Sequence, residues 1–168
     1  DHLETHLSGA SMPQTPPPQG TRTTNFLQIE GAVEQGRTRG TLQIQDGCDE
    51  HCTYCIIPQV RGPGVSRPAA ETLEQAHRMV QSGYRELALT GVHTGSYGSD
   101  LAQKDGLVHL LKELEKIEGL DRIRLNSVEP GLVSDALIHH VAASSKFCRH
   151  FHIPLQSGSD AILRSMRR

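Results

Sequence analysis

The chain has 168 residues, which fits about one domain. Its 17 Lys and Arg balance 19 Asp and Glu, so composition shows no basic field of the kind that marks nucleic-acid binding, although a nucleic-acid substrate is not thereby excluded. Aromatic residues make up 4 % and tryptophan is missing, so the core must come from Leu, Ile, Val and Ala.

No apolar run is long enough to span a bilayer, and no secretory signal pattern occurs. Three of the 4 cysteines crowd into the segment 48–55, where neighbouring thiols serve a metal better than a disulfide framework. The expected setting is reducing and cytoplasmic, with no membrane partner. The chain starts at Asp1 rather than Met and stops at Arg168 in a helical pattern, so it reads as part of a longer protein.

Residues 1–38 lack periodicity. The prolines of Met12-Pro13-Gln14-Thr15-Pro16-Pro17-Pro18 forbid helix and offer little apolar area, so the segment reads as a linker, with a short strand possible over 25–29. From residue 39 the pattern changes. A strand is expected over 41–45, then a helix over 71–81 with Leu73, Ala76 and Val80 on one face and Gly83 as its stop. A strand over 86–90 precedes a helix over 107–117, whose Leu107, Leu110, Leu111, Leu114 and Ile117 share a face. A strand over 122–126 leads to a helix capped by Ser134 that uses Leu137, Ile138, Val141 and Ala142. The last strand is expected over 150–155, and Ser159 or Asp160 caps a final helix carrying Ile162, Leu163 and Met166. Cys148, just before that strand, reads as a buried thiol without a ligand role.

Alternating strands and helices mean βαβ units and a parallel sheet, an α/β fold. Four units are too few to close a barrel. Gln43, Gln45, Arg122, Arg124, Asn126, His150, His152 and Gln156 fall on one alternating face. Leu42, Ile44, Ile123, Leu125, Phe151, Ile153 and Leu155 fall on the other. The apolar face suits helices, whereas the polar one suits a wet, functional lumen in preference to a second packed layer.

The chemistry sits in Gly47-Cys48-Asp49-Glu50-His51-Cys52-Thr53-Tyr54-Cys55, directly after the first strand. The spacing C-x3-C-x2-C lets three thiolates hold three corners of an iron–sulfur cubane and leaves the fourth iron open. Ligands of α/β sheets gather at the carboxyl ends of strands, where this loop lies. The alternative is zinc held by the three cysteines with His51 or a distant ligand, in a structural or nucleic-acid-binding module, although zinc sites more often show paired C-x2-C elements.

This spacing, with Tyr54 before the last cysteine, resembles the radical SAM (S-adenosylmethionine) superfamily. Asp46-Gly47-Cys48 through Cys55-Ile56-Ile57-Pro58, Arg61-Gly62, Ser66-Arg67 and His152-Ile153-Pro154-Leu155-Gln156-Ser157-Gly158-Ser159 resemble its methylthiotransferase family. Leu89-Thr90-Gly91-Val92-His93-Thr94-Gly95-Ser96-Tyr97-Gly98 and Arg122-Ile123-Arg124-Leu125-Asn126-Ser127-Val128-Glu129-Pro130 look most like the branch acting on threonylcarbamoyladenosine of tRNA. The likeness covers residues 40–168. A different radical SAM reaction is the alternative among enzymes.

The resemblance implies a partial (β/α) barrel, with residues 39–168 forming the amino-terminal part of a radical SAM core. It implies that Cys48, Cys52 and Cys55 ligate a [4Fe–4S] cluster whose open iron binds SAM. One electron then cleaves the sulfonium to a deoxyadenosyl radical, and a methylthio group replaces the hydrogen it abstracts. It further implies Tyr54 near the adenine, and Thr90 and Gly91 at the SAM amino group, the alternative for Thr90, Gly91 and Gly158 being plain turn chemistry. Ser127 and Glu129 close the third strand, and Gln156, Ser157 and Gly158 lie at the ribose. Arg124 becomes a candidate for the SAM carboxylate, the alternative being an ion pair with Glu129 or another acid. His152 faces cofactor or substrate, or is a structural histidine. Expected partners are tRNA and an electron donor such as flavodoxin or ferredoxin. The family's amino-terminal cluster domain, last barrel units and carboxy-terminal RNA-binding domain find no counterpart, so this piece alone is not expected to complete thiolation.

Overall fold

The computed structural model describes Phe26, residues 38–103 and residues 105–168. The proline-rich stretch and all of the possible strand over 25–29 except Phe26 lie outside the described residues. In chain order the elements are β1 (Arg39–Gln43), β2 (Gln45–Asp46), α1 (Ile57–Arg61), β3 (Val65–Ser66), α2 (Ala69–Gln81) and β4 (Glu86–Thr90). They continue with α3 (Gly106–Glu115), β5 (Arg122–Leu125), α4 (Asp135–Ala143), β6 (Phe147–Phe151) and α5 (Asp160–Ser165).

β1, β4, β5 and β6 form one parallel sheet in that order. β4 is central, and both its neighbours shield it, which explains why Glu86 through Leu89 are all buried. Leu42, Leu89 and Leu125 stand in register across three strands and are almost fully excluded from solvent. They pack with Ala76 and Met79 of α2, with Leu107, Leu110, Leu111 and Leu114 of α3, and with Leu137 and Val141 of α4. Ser134 caps α4 as expected, its Oγ accepting from Leu137 N at 3.2 Å. The architecture is a partial barrel: four parallel strands that do not close, with β1 and β6 at the edges among the described residues.

Two strand boundaries differ from expectation. The first strand leaves the parallel sheet after Gln43, and Gln45 and Asp46 pair antiparallel with Ser66 and Val65 instead. The buried side chain of Gln45, described below, is what turns the chain there. The last strand runs over 147–151, not 150–155. Phe147, nearly buried, is the residue that enters the core and pairs with Ile123, and a register irregularity then carries the strand to Phe151 opposite Leu125. Ile153 and Leu155, expected on the core face, are 41 % and 66 % exposed. Cys148 lies inside β6 and is only half-buried. The short α1 was not apparent from periodicity, because five residues are too few to show one.

The polar face has its own organisation. Arg39, Glu86 and Arg122 are in register at the amino ends of their strands. The Glu86 carboxylate, on a residue only 7 % exposed, meets Arg39 Nε at 2.7 Å, Arg124 Nε at 3.2 Å and Arg122 Nε at 3.4 Å. Burial pushes its ionisation upward, but the hydrogen bond from Arg124 and the charge of Arg39 outweigh that, and the carboxyl ionises below its ordinary range. A depressed acid contributes stability above its unfolded pKa and loses it as pH falls through the folded value. Glu86→Gln is therefore expected to lower stability by about 1–3 kcal/mol at pH 7. In urea titrations the difference from wild type should begin to shrink as pH falls through the ordinary carboxylate range near about 4, and should vanish only below the depressed folded value.

Candidate metal centre

The three clustered cysteines lie on the excursion between β2 and β3, whose ends are tied together. Gly47 has φ 71°, and a Cβ there would fall 1.9 Å from the Pro63 carbonyl oxygen, so no other residue fits without moving the backbone. Cys48 N donates to Gly62 O at 3.1 Å, Gly64 N donates to Asp49 Oδ2 at 3.3 Å, and Arg61 Nη1 lies 3.2 Å from Asp46 Oδ1. Between these ties, Cys55 N donates to Cys52 O at 3.0 Å and makes the turn that brings the second and third thiols round. All three thiols are free; Cys52 is buried and the other two half-buried.

Gln45, 1 % exposed, locks this loop to the sheet. Its Nε2 donates to Asp46 O at 2.9 Å and Gly47 O at 2.8 Å, and its Oε1 accepts from His93 N at 2.7 Å. Both amide hydrogens are used, and a flipped amide would set like against like, so the orientation is fixed. Gly91 has to lack a side chain because a Cβ would come within 2.8 Å of Gln45 O and 2.9 Å of its Oε1.

The sequence-named residues gather at the carboxyl ends of the strands. Thr90 ends β4 and its carbonyl accepts from Ile44 N at 2.9 Å. Ser127, just past β5, and Gln156, past β6, have φ of 58° and 61°, a left-handed conformation that costs non-glycine residues energy and often marks functional sites. Thr94 Oγ1 donates to the carbonyls of Asn126 and Ser127 and supports that bend. Ser157 Oγ accepts from Ser159 N at 3.1 Å, and the space where a side chain on Gly158 would lie is open. His152 is exposed, and its carbonyl accepts from Val128 N at 3.2 Å. Arg124 is not brought to this end: its Nε bond to Glu86 realises the ion-pair alternative.

Sequence reasoning missed Arg168. Its Nη1 donates to Tyr54 Oη at 3.1 Å and lies 3.8 Å from Cys52 Sγ, while Nη2 pairs with Glu129. Thr53 N donates to Met166 O at 3.1 Å, so the end of the last helical segment sits against the cysteine loop. No motif signals a contact between residues this far apart in sequence. A cavity of about 350 Å³ opens beside the loop, lined by His51, Cys52, Cys55, Gln59 and Arg167 among others.

Electrostatics favour a cationic guest. Burial pushes the Cys48 thiol up, as do Glu50 and the thiols of Cys52 and Cys55; only the backbone N–H of Glu50, 3.4 Å from Sγ, pulls it down. A thiol held protonated in this way ionises more readily when a bound metal cation compensates its charge. The donor set fits an iron–sulfur cluster: three free thiols, one already accepting an amide hydrogen. Among the described residues no group of three or more His, Cys, Asp or Glu side chains is placed to hold a metal ion, so the fit rests on the number and type of donors, three free thiols on one loop, and not on a preformed geometry.

The Radical SAM superfamily profile matches residues 42–168, and the chain belongs to that superfamily. Within it, the chain is 46 % identical over 144 residues to "Threonylcarbamoyladenosine tRNA methylthiotransferase MtaB" of Bacillus subtilis, covering 85 % of this chain and 32 % of that protein. It is 44 % identical over 127 residues to "tRNA-2-methylthio-N(6)-dimethylallyladenosine synthase" of Syntrophotalea carbinolica, covering 76 % of this chain and 29 % of that one. The chain thus spans about a third of the length of these curated relatives. Its fold is that of the radical S-adenosylmethionine methyltransferase TsrM from Kitasatospora setae, solved with cobalamin and a [4Fe-4S] cluster, with a TM-score of 0.59 and 17 % identity over 74 % of this chain and 23 % of that one.

Gln45→Met keeps the side chain's length and removes its polar atoms. It leaves two carbonyls and one N–H without their partner, and is expected to cost about 3 kcal/mol or more in urea unfolding. Gln45→Glu should cost as much at pH 7, since a carboxylate has no hydrogen to give Asp46 O and Gly47 O.

Proposed function

We propose that this chain is the cluster-bearing part of a radical SAM tRNA methylthiotransferase that works in the cytoplasm on threonylcarbamoyladenosine beside the anticodon. The observation that carries the reading is the cysteine loop: three free thiols, held by Gln45 at the carboxyl ends of parallel strands, in a chain whose curated relatives are named as tRNA methylthiotransferases. The branch rests on the segments Leu89 to Gly98 and Arg122 to Pro130, since relatives of both substrate names match at similar identity.

Cys48, Cys52 and Cys55 would hold a [4Fe–4S] cluster, with one position left open for SAM. When bound, this pair would supply one-electron reductive cleavage of the sulfonium. The protein's own residues bind, orient and shield. Tyr54 stands over the cysteine loop, its hydroxyl oriented by Arg168, and offers a ring to the adenine. Thr90 and Gly91 present backbone groups to the SAM amino group. Ser127 and Glu129 line the end of β5, and Gln156, Ser157 and Gly158 receive the ribose where open space stands above Gly158. Burial of Cys52 keeps water from the loop's inner side. tRNA binding, electron delivery by a flavodoxin or ferredoxin, and the sulfur donor call for a further cluster domain and an RNA-binding domain in the complete protein.

Anaerobic reconstitution with iron and sulfide tests this. The chain should bind about four irons with matching acid-labile sulfide, and in the complete protein dithionite and SAM should yield deoxyadenosine. Cys52→Ala should abolish that product. One zinc per chain and no sulfide, or undiminished deoxyadenosine from Cys52→Ala, would overturn the ligand assignment.

A further inference from the structure

His93, in the segment that follows β4, carries a buried ring beside the cysteine loop. The residue is only 6 % exposed, and its buried Nε2 has no hydrogen-bond partner. Its backbone is fixed on both sides: His93 N donates to Gln45 Oε1 at 2.7 Å, and His93 O accepts from Ser96 Oγ at 2.8 Å and Ser96 N at 3.0 Å. With the residue buried as well, the ring has little room to turn away. The polar atom in front of it is Cys48 Sγ, 3.9 Å from Nδ1 and within reach of a hydrogen bond to sulfur.

A neutral imidazole carries one hydrogen. On Nε2 it would be a buried donor with no acceptor, the more costly kind of orphan. On Nδ1 it points at sulfur and leaves only a lone pair unmatched. The accounting puts the hydrogen on Nδ1, facing Cys48.

We propose that His93 is a positioning residue for the cluster: its Nδ1–H donates to the Cys48 sulfur and raises the cluster's reduction potential. This rests on the cluster reading above. The physical reason is that a hydrogen bond withdraws electron density from a ligating thiolate and favours the reduced, more negative state of the cluster. The Glu50 N–H, 3.4 Å from the same sulfur, acts in the same sense. Cys48 is thereby the ligand with two N–H donors, while Cys52 has Arg168 Nη1 at 3.8 Å. The gap of 45 residues between His93 and Cys48 hides the pair from any reading by local spacing.

The test compares His93→Asn, whose amide nitrogen falls near the Nδ1 position, with His93→Gln, whose nitrogen falls near Nε2. These two variants, His93→Leu and wild type are reconstituted as the full chain, assayed for iron and sulfide, and titrated electrochemically for the cluster's midpoint potential. His93→Asn should keep the wild-type potential. His93→Gln and His93→Leu should load the same iron and shift the reduction equilibrium about tenfold toward oxidised, which is a potential about 59 mV more negative for one electron. Equal potentials in His93→Asn and His93→Gln would overturn the inference while leaving the cluster intact. A wild-type chain that takes up no cluster overturns the cluster reading itself, and this inference with it.

Discussion

One buried amide organises the functional end of this protein. Gln45 sits where the first strand ends, and its three hydrogen bonds join the chain entering the cysteine loop to the chain leaving β4. Everything downstream inherits that geometry. Gly47 turns sharply because its carbonyl is held, Gly91 is bare because Gln45 fills its space, and His93 is fixed with its ring against Cys48. A buried polar group is costly unless every hydrogen-bonding atom is matched. Here both amide hydrogens and the oxygen are matched to backbone groups that would otherwise be orphans.

The two ends of the sheet carry different work. At the amino ends, Glu86 gathers Arg39, Arg122 and Arg124 into a charge cluster whose effect is on stability. At the carboxyl ends lie the thiols, the bent backbones of Ser127 and Gln156, and the open space at Gly158. This division is what (β/α) barrels show generally, with chemistry on loops beyond the carboxyl ends and a scaffold beneath. The strained residues are affordable because Val128 N, Thr94 Oγ1 and the packed faces of α3 and α4 hold the segments around them.

Much of this was legible in the sequence. β4 fell where expected because Leu87, Leu89 and their neighbours form a short, uninterrupted apolar run, and α2 and α3 followed from 3.6-residue spacing. The cysteine loop was legible because its chemistry is local. Contacts across the fold were not. Gln45 looked like one more polar residue on an alternating strand; its role depends on His93, 48 residues on. Arg124 looked suited to a carboxylate, and the carboxylate it meets is Glu86 of the neighbouring strand. The final strand was placed late because His152-Ile153-Pro154-Leu155 alternates well, whereas Phe147 and Phe151, tilted together at 5.9 Å, anchor the strand that forms.

Three thiols of one loop, if they ligate a cubane, leave a single iron free for a chelating small molecule. Mössbauer spectroscopy of the chain loaded with iron-57, recorded before and after addition of SAM, tests it most directly. About one quarter of the iron signal should change its isomer shift and quadrupole splitting as its coordination rises, the other three sites staying as they were. A spectrum unmoved by saturating SAM, or one in which all irons change together, would contradict it.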